Sequence, residues 1–178
     1  MTMTEHAASV EGAPPVPALE FVDVVKSYGS GSTEVRAVSG VSLQVQPGEI
    51  VAVMGPSGCG KSTLLHLAGA LDTPSAGRVI VGGRDVAEMS PAEQAELRRR
   101  DVGYVFQRLN LVPSLTAIEN VMLPLELDGH SGRVARRAAI ETLRMVGLDH
   151  HLDRYPDDFS GGQQQRIAIA RAVVGERR

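Results

Sequence analysis

The sequence predicts an α/β fold, and three observations carry that expectation. "EIVAVMG" (49–55) is a continuous apolar run, the pattern of a strand covered on both faces in a mainly parallel sheet. It passes through the glycine-rich "GPSGCGKST" straight into "LLHLAGAL", so that 61–71 reads as a helix. A second apolar run, "VGYVFQ" (102–107), reads as another buried strand.

The elements follow in order. Residues 1–17 are rich in Ala, Pro and Glu and read as a disordered tail. "LEFVDVVKSYG" (19–29) reads as a strand and a turn, and "GSGST" (29–33) as a hairpin tip. "VSLQVQ" (41–46) alternates, with Val41, Leu43 and Val45 on one face and Ser42, Gln44 and Gln46 on the other, as a half-buried strand does. Pro47-Gly48 suits the centre of a type II turn. "RVIVGGRDV" (78–86) reads as a short strand and a glycine turn.

Ser90, Pro91 and Glu93 form a helix start with a capping box, and this helix should run to about Arg100. The Arg98–Arg100 triplet reads as its solvated end, favourable at the negative pole of the helix dipole. Thr116 and Glu119 form a second capping box, opening a helix that Pro124 is expected to end. A third helix should span 131–146, with Val134, Ala138, Ala139, Leu143 and Val146 on its apolar face and Gly147 closing it.

Composition narrows the function. A net charge of −3 gives no general basic field for nucleic acid, and 3% aromatic residues leave little for base stacking. The N-terminus lacks the basic start and apolar core of a secretory signal. No apolar run approaches the ~20 residues of a membrane span. Cys59 is the single cysteine, so no internal disulfide forms.

The chemistry sits first in Gly55–Thr63. Gly55, Gly60, Lys61 and Ser62 match the spacing of a phosphate-binding loop. The glycines let consecutive N–H groups turn inward, and the helix start adds its positive pole. Lys61 then bridges the β- and γ-phosphates, and Ser62 offers its hydroxyl to Mg²⁺. Pro56, Ser57, Gly58, Cys59 and Thr63 complete the loop. Cys59 is either a redox-sensitive thiol at a helix start or a small filler of a non-contact position. A second anion-receiving helix mouth stands at "FSGGQQQR" (159–166).

Together these residues resemble the ATP-binding subunit of ABC transporters, over roughly 19–178. Tyr28 in "KSYG" matches the aromatic that stacks on adenine. Gln107, ending "VGYVFQ", matches the glutamine that reaches toward Mg²⁺ and the attacking water. "FSGGQQQR" matches the signature sequence, with Phe159 where Leu is usual. "YVFQRLNLVPSLTAIENVMLPLEL" (104–127) looks like the subgroup serving lipoprotein release and macrolide-type efflux.

The resemblance implies a P-loop NTPase fold with a RecA-like core, an N-terminal antiparallel β subdomain and a helical subdomain carrying the signature. It places the core in about 18–107 and the helical part in about 108–172. It implies ATP and Mg²⁺ as cofactors and a head-to-tail dimer. The phosphate loop of one subunit and Ser160, Gly161, Gly162 and Gln163 of the other would clamp one ATP. A transmembrane permease would dock on the segment after Gln107, where Leu109, Leu111, Val112 and Leu115 supply apolar surface. The subunit would then lie on the cytoplasmic face of the membrane, and nucleic acid is not an expected partner.

In the family the signature is followed by a strand ending in the Mg²⁺-binding Asp, then the catalytic Glu and a switch His. None of these is present here; Glu176 precedes any such strand. The expectation is therefore a C-terminally incomplete ATPase domain without useful turnover, with unpaired strand edges and marginal solubility. The competing reading is a regulatory nucleotide-binding fragment. An ABC-type ATPase acting on DNA or ribosomes is disfavoured, because the 98 residues between Lys61 and Ser160 leave no room for a coiled-coil insert.

Overall fold

The computed structural model describes residues 16–175. All but the last two residues of the expected tail, and Glu176, lie outside them.

Four antiparallel strands form one sheet. β1 (Leu19–Tyr28) pairs with β2 (Val35–Val45) on one side and β3 (Ala76–Val81) on the other; β4 (Arg84–Asp85) extends β3. The hairpin tip between β1 and β2 closes through a 3₁₀ turn at Gly31–Thr33. The alternation in β2 holds: Val41, Leu43 and Val45 are half-buried, while Ser42 and Gln44 are exposed. After β2, the Glu49 N–H donates to the Gln46 carbonyl at 3.1 Å, and Gly48 has φ +79°, the type II geometry expected of Pro47-Gly48.

The inner face of this sheet buries Phe21, Val24, Val38, Val79 and Val81 against α1 (Lys61–Ala68) and α2 (Pro91–Arg100). These helices supply Leu67 and Leu97, both fully buried. The capping box of α2 forms: the Ser90 hydroxyl accepts from the Glu93 N–H at 3.3 Å, and the Glu93 carboxylate accepts from the Ser90 N–H at 2.7 Å.

A second core lies among α3 (Ala117–Leu127), α4 (Gly132–Met145) and α5 (Gly161–Val173). It centres on Ile118, Val121, Ala139, Leu143, Leu148 and Ile167. The Thr116–Glu119 capping box opens α3 as expected. Pro124 does not end it. The ring removes only the bond its N–H would have donated to the Asn120 carbonyl, and the Asp128 N–H still donates to Pro124 at 3.1 Å. Burial of Ile118, Val121 and Met122 against the core outweighs that loss. In α4 the buried stripe is Ala135, Ala139, Thr142 and Leu143, and Val134 is exposed.

The two runs expected as buried parallel strands, 49–55 and 102–107, belong to no strand. Ile50 is 96% exposed and Met54 87%. A parallel strand needs neighbours for its N–H and C=O groups, and among the described residues neither run has one.

Residues 102–106 nevertheless join the two cores. A Cβ on Gly103 would lie 2.1 Å from the Ala172 carbonyl oxygen in α5, and one on Gly69 would lie 2.8 Å from the Tyr104 ring. The arginine triplet is also more engaged than a solvated helix end. Arg98 donates to the Ala70 carbonyl, and Arg100 holds Asp128 at the end of α3 at 2.9 Å and Glu96 at 2.7 Å. Arg99 reaches the same Asp128 at 3.7 Å. Arg99 and Arg100 thus reach across the seam to Asp128, while the Arg100 side chain stays 55% exposed as a helix end does.

This packing divides the apolar residues into two groups with different costs. Leu143→Ala should destabilise the chain by about 2–5 kcal/mol in urea unfolding, because the cavity cannot collapse fully. Ile50→Thr should change stability by no more than about 0.5 kcal/mol. A loss from Ile50→Thr comparable to that from Leu143→Ala would contradict the exposed placement of 49–55.

Candidate functional site

Gly55–Cys59 form an exposed loop on the start of α1. Gly60 caps the helix in the left-handed region, at φ +92°. Its position is forced by packing, since a Cβ there would lie 2.1 Å from the Ala37 carbonyl oxygen of β2. The first turn of a helix leaves its N–H groups without intrahelical acceptors, and here those belong to Lys61, Ser62 and Thr63. The Lys61 ammonium closes the mouth, donating to the Gly55 carbonyl at 2.9 Å and the Pro56 carbonyl at 2.6 Å.

The Cys59 sulfur lies 3.7 Å from that ammonium, and 2.7 Å from where a Cβ on Gly55 would be. Cys59 is an exposed residue, and glycine at 55 leaves its sulfur room.

Tyr28 ends β1 with its ring 42% exposed. Its hydroxyl donates to Asp72 Oδ2 at 2.9 Å. Lys26 Nζ donates to Asp72 Oδ1 at 2.6 Å and lies 5.0 Å from the centre of the Tyr28 ring. Partial burial favours the neutral acid at Asp72, but the hydrogen bonds from Lys26, Tyr28 and the Thr73 N–H outweigh it and hold the carboxyl below the usual carboxylate range. Neither Lys26 nor Asp72 stands out in the sequence; they lie 46 positions apart, and the pairing of β1 with the start of β3, Val25 beside Ala76, brings them together.

Ser160 caps α5. Its hydroxyl accepts from the Gln163 N–H at 3.4 Å, and Gln163 Oε1 accepts from the Ser160 N–H at 2.9 Å. Phe159 is buried in the helical core, its ring 5.2 Å from the Arg154 guanidinium and edge-on to His151, so an aromatic fits where Leu is usual. Gly161 and Gly162 are exposed, neither has positive φ, and a Cβ on either would meet nothing within 4 Å. Among the described residues nothing requires glycine at those two positions.

Gln107 is exposed at the start of a turn that the Leu109 N–H closes on the Phe106 carbonyl at 2.9 Å. With Leu109, Leu111, Pro113, Asp157 and Gln164 it lines a cleft of about 500 Å³. Leu109 and Asn110 sit in the left-handed region at φ +51° and +48°. Arg171, a residue the motifs did not single out, donates to both of their carbonyls at 2.6 Å. Burial lowers the pKa of its guanidinium, which stays protonated at neutral pH. Buried Asn120 likewise fixes the next turn, accepting from the Val112 N–H and donating to the Val112 and Leu115 carbonyls. Leu111 packs partly on the helical core, so only part of this segment's apolar surface is free.

The chain therefore brings Tyr28 and the phosphate loop together on the sheet side, and Gln107 and the signature on the helical side. Among the described residues no hydrogen bond or ion pair joins the phosphate loop to Gln107 or to Ser160. A model of the ABC transporter family matches residues 38–178. The chain belongs to that family. This ABC subunit is 49% identical over 156 residues to the lipoprotein-releasing system ATP-binding protein LolD of Geobacter metallireducens, a match covering 88% of this chain and 69% of that protein. Over 160 residues it is 47% identical to the macrolide export ATP-binding/permease protein MacB of Hyphomonas neptunium, covering 90% of this chain and 25% of that protein. Its fold is similar to that of the ATP-binding cassette MJ0796, solved as a dimer in a post-hydrolysis state bound to ADP and Pi. The TM-score is 0.81 at 42% identity, over 87% of this chain and 68% of that one. Both named relatives fall in the subgroup that residues 104–127 pointed to. Among the described residues of this ABC subunit, no helix is long and apolar enough to cross a membrane.

The ion pair at Asp72 makes stability depend on pH with a definite sign. Its folded-state pKa is depressed, so its contribution is present above the unfolded value and fades as pH falls through the folded one. Urea unfolding should separate the wild-type chain from Asp72→Asn at pH 7, and the two curves should converge as pH falls through the depressed folded-state pKa of Asp72. A difference that persists undiminished in acid would show that the carboxylate charge is not the source.

Proposed function

We propose that this subunit binds ATP with Mg²⁺ at Gly55–Thr63 and that the signature of a second copy completes the site. The observation that carries this reading is the pair Gly161-Gly162. Glycine in a helix is less favourable than alanine by about 1 kcal/mol, and here no neighbour, turn or dihedral within the chain requires it. A reason outside the chain remains: another surface approaches the helix start too closely for a Cβ. An anion carried on a partner's phosphate loop meets that description, and the N-terminus of α5 offers it N–H groups and a positive pole.

The residues of the loop fit the nucleotide. The left-handed Gly60 brings the start of α1 flush against β2, and the exposed loop leaves its backbone open to phosphate oxygens. Lys61 holds its ammonium at the mouth on two carbonyls it can exchange for phosphate oxygens. Among the described residues no group of His, Cys, Asp or Glu could hold a metal. In this reading the donors offered to Mg²⁺ are the Ser62 hydroxyl and the Gln107 amide, with the ion's charge met by the phosphates it arrives with. When bound, Mg²⁺ neutralises charge on the β- and γ-oxygens.

The division of labour follows. Tyr28 stacks on the base, and Ser160 and Gly162 face the γ-phosphate across the interface. Gln107 orients water toward the γ-phosphate, and the cleft beside it receives a permease on the cytoplasmic face of the membrane. Residues 18–107 supply the nucleotide half and 108–172 the coupling half. Resemblance to the lipoprotein-releasing and macrolide-export proteins supports export or extraction from the membrane as the driven process.

Two variants of the full-length protein separate these roles. Lys61→Ala should abolish MgATP binding in calorimetry. Gly162→Ala should leave binding to the monomer intact and raise the midpoint of urea unfolding slightly, since alanine is the better helix former. The same variant should lose ATP-dependent dimerisation in light scattering. Full dimerisation by Gly162→Ala would remove the basis of the shared site.

A further inference from the structure

Tyr28 lies in a closed triangle that ordinary sheet packing does not require. Lys26 and Tyr28 are two apart on β1 and share one face of the sheet. The Lys26 side chain is only 12% exposed, and its ammonium is pinned twice, by Asp72 Oδ1 at 2.6 Å and the Thr73 carbonyl at 2.8 Å. The other oxygen of Asp72 takes the Tyr28 hydroxyl. The ring is thereby held at its tip by a carboxylate and approached by a cation 5.0 Å from its centre, while 42% of the residue stays open.

The ring's neighbourhood fixes what it can meet. Tyr28 pairs with Val35 in β2. Two residues further along the same strand, Ala37 touches Gly60 at the start of α1. The open ring and the mouth of the phosphate loop are therefore anchored about 7 Å apart along one strand. That is a short reach for a nucleotide whose phosphates occupy the loop.

We propose that Lys26 and Asp72 are the positioning residues of the base subsite, holding Tyr28 so that its open ring accepts the purine of a bound nucleoside triphosphate. The inference rests on the stacking role given to Tyr28 above. Asp72 sets the attitude of the ring through its hydroxyl. Lys26 draws the ring's electron density toward itself, which favours a second π system on the open side. Lys26 and Asp72 neutralise one another, so the pair adds no net charge near the phosphates.

The test compares MgATP with inorganic tripolyphosphate and Mg²⁺, which loads the phosphate loop without a base, on the full-length protein by calorimetry. Tyr28→Ala should weaken ATP binding about tenfold, in line with loss of one base–aromatic stack. Asp72→Asn and Lys26→Met should each weaken ATP binding about three- to tenfold, with tripolyphosphate binding unchanged in all three. Lys26→Arg, which keeps the cation, should recover most of the ATP affinity. If Tyr28→Ala weakens ATP binding while Asp72→Asn and Lys26→Met leave it at the wild-type level, the positioning role is wrong and the stacking role stands. If Tyr28→Ala has no effect on ATP, the stacking role itself fails. Equal losses for ATP and tripolyphosphate in the Asp72 or Lys26 variants would mean that the change disturbs the loop, and would overturn the proposal.

Discussion

The Ala37 carbonyl oxygen lies where the first side-chain carbon of any residue but glycine at position 60 would be. This close approach sets the depth at which α1 meets the sheet. It also puts Gly60 in the left-handed conformation that starts the helix and turns the preceding loop outward. The proposed contacts of the phosphate loop and base are measured from it: the N–H groups of the first turn, the Lys61 ammonium over its carbonyls, and Tyr28 at the end of β1, paired with Val35 two residues before Ala37 in β2. A single main-chain contact between a strand and a helix start carries the geometry that the loop sequence alone only names.

The second constraint is the seam between the sheet core and the helical core. It is narrow and made of unlike parts. Gly103 presses on the last turn of α5, Tyr104 packs on Gly69, and arginines from α2 reach Asp128 at the end of α3. Backbone contact and charged pairs tolerate small rotations better than an interlocked apolar layer, which has few alternative packings. The seam lies between the two halves that the shared-site reading assigns to phosphate binding and to coupling.

What the sequence made legible was local. The capping boxes at Ser90 and Thr116, the Pro47-Gly48 turn and the alternation in β2 all formed, because each is decided within a few residues. The lack of partners for the runs at 49–55 and 102–107 was expected, but not that they would then form no strand: among the described residues neither run pairs with another, and a strand exists only with its neighbours. Pro124 was misjudged because one lost hydrogen bond was weighed without the buried residues around it. The phosphate loop was readable as a motif, since its spacing is its chemistry. The triangle of Lys26, Tyr28 and Asp72 and the grip of Arg171 were not, for they join residues 44 to 62 positions apart.

That grip has a mechanical side. Leu109 and Asn110 occupy a conformation that side-chain-bearing residues avoid, at a cost on the order of 1–3 kcal/mol each. The guanidinium that bonds their carbonyls stands at the far end of the helix whose other end is Ser160. Over 13 residues that helix is a strut of about 20 Å. The strained turn is therefore tied to the far end of that strut, and moving Arg171 away would remove two hydrogen bonds to it at once.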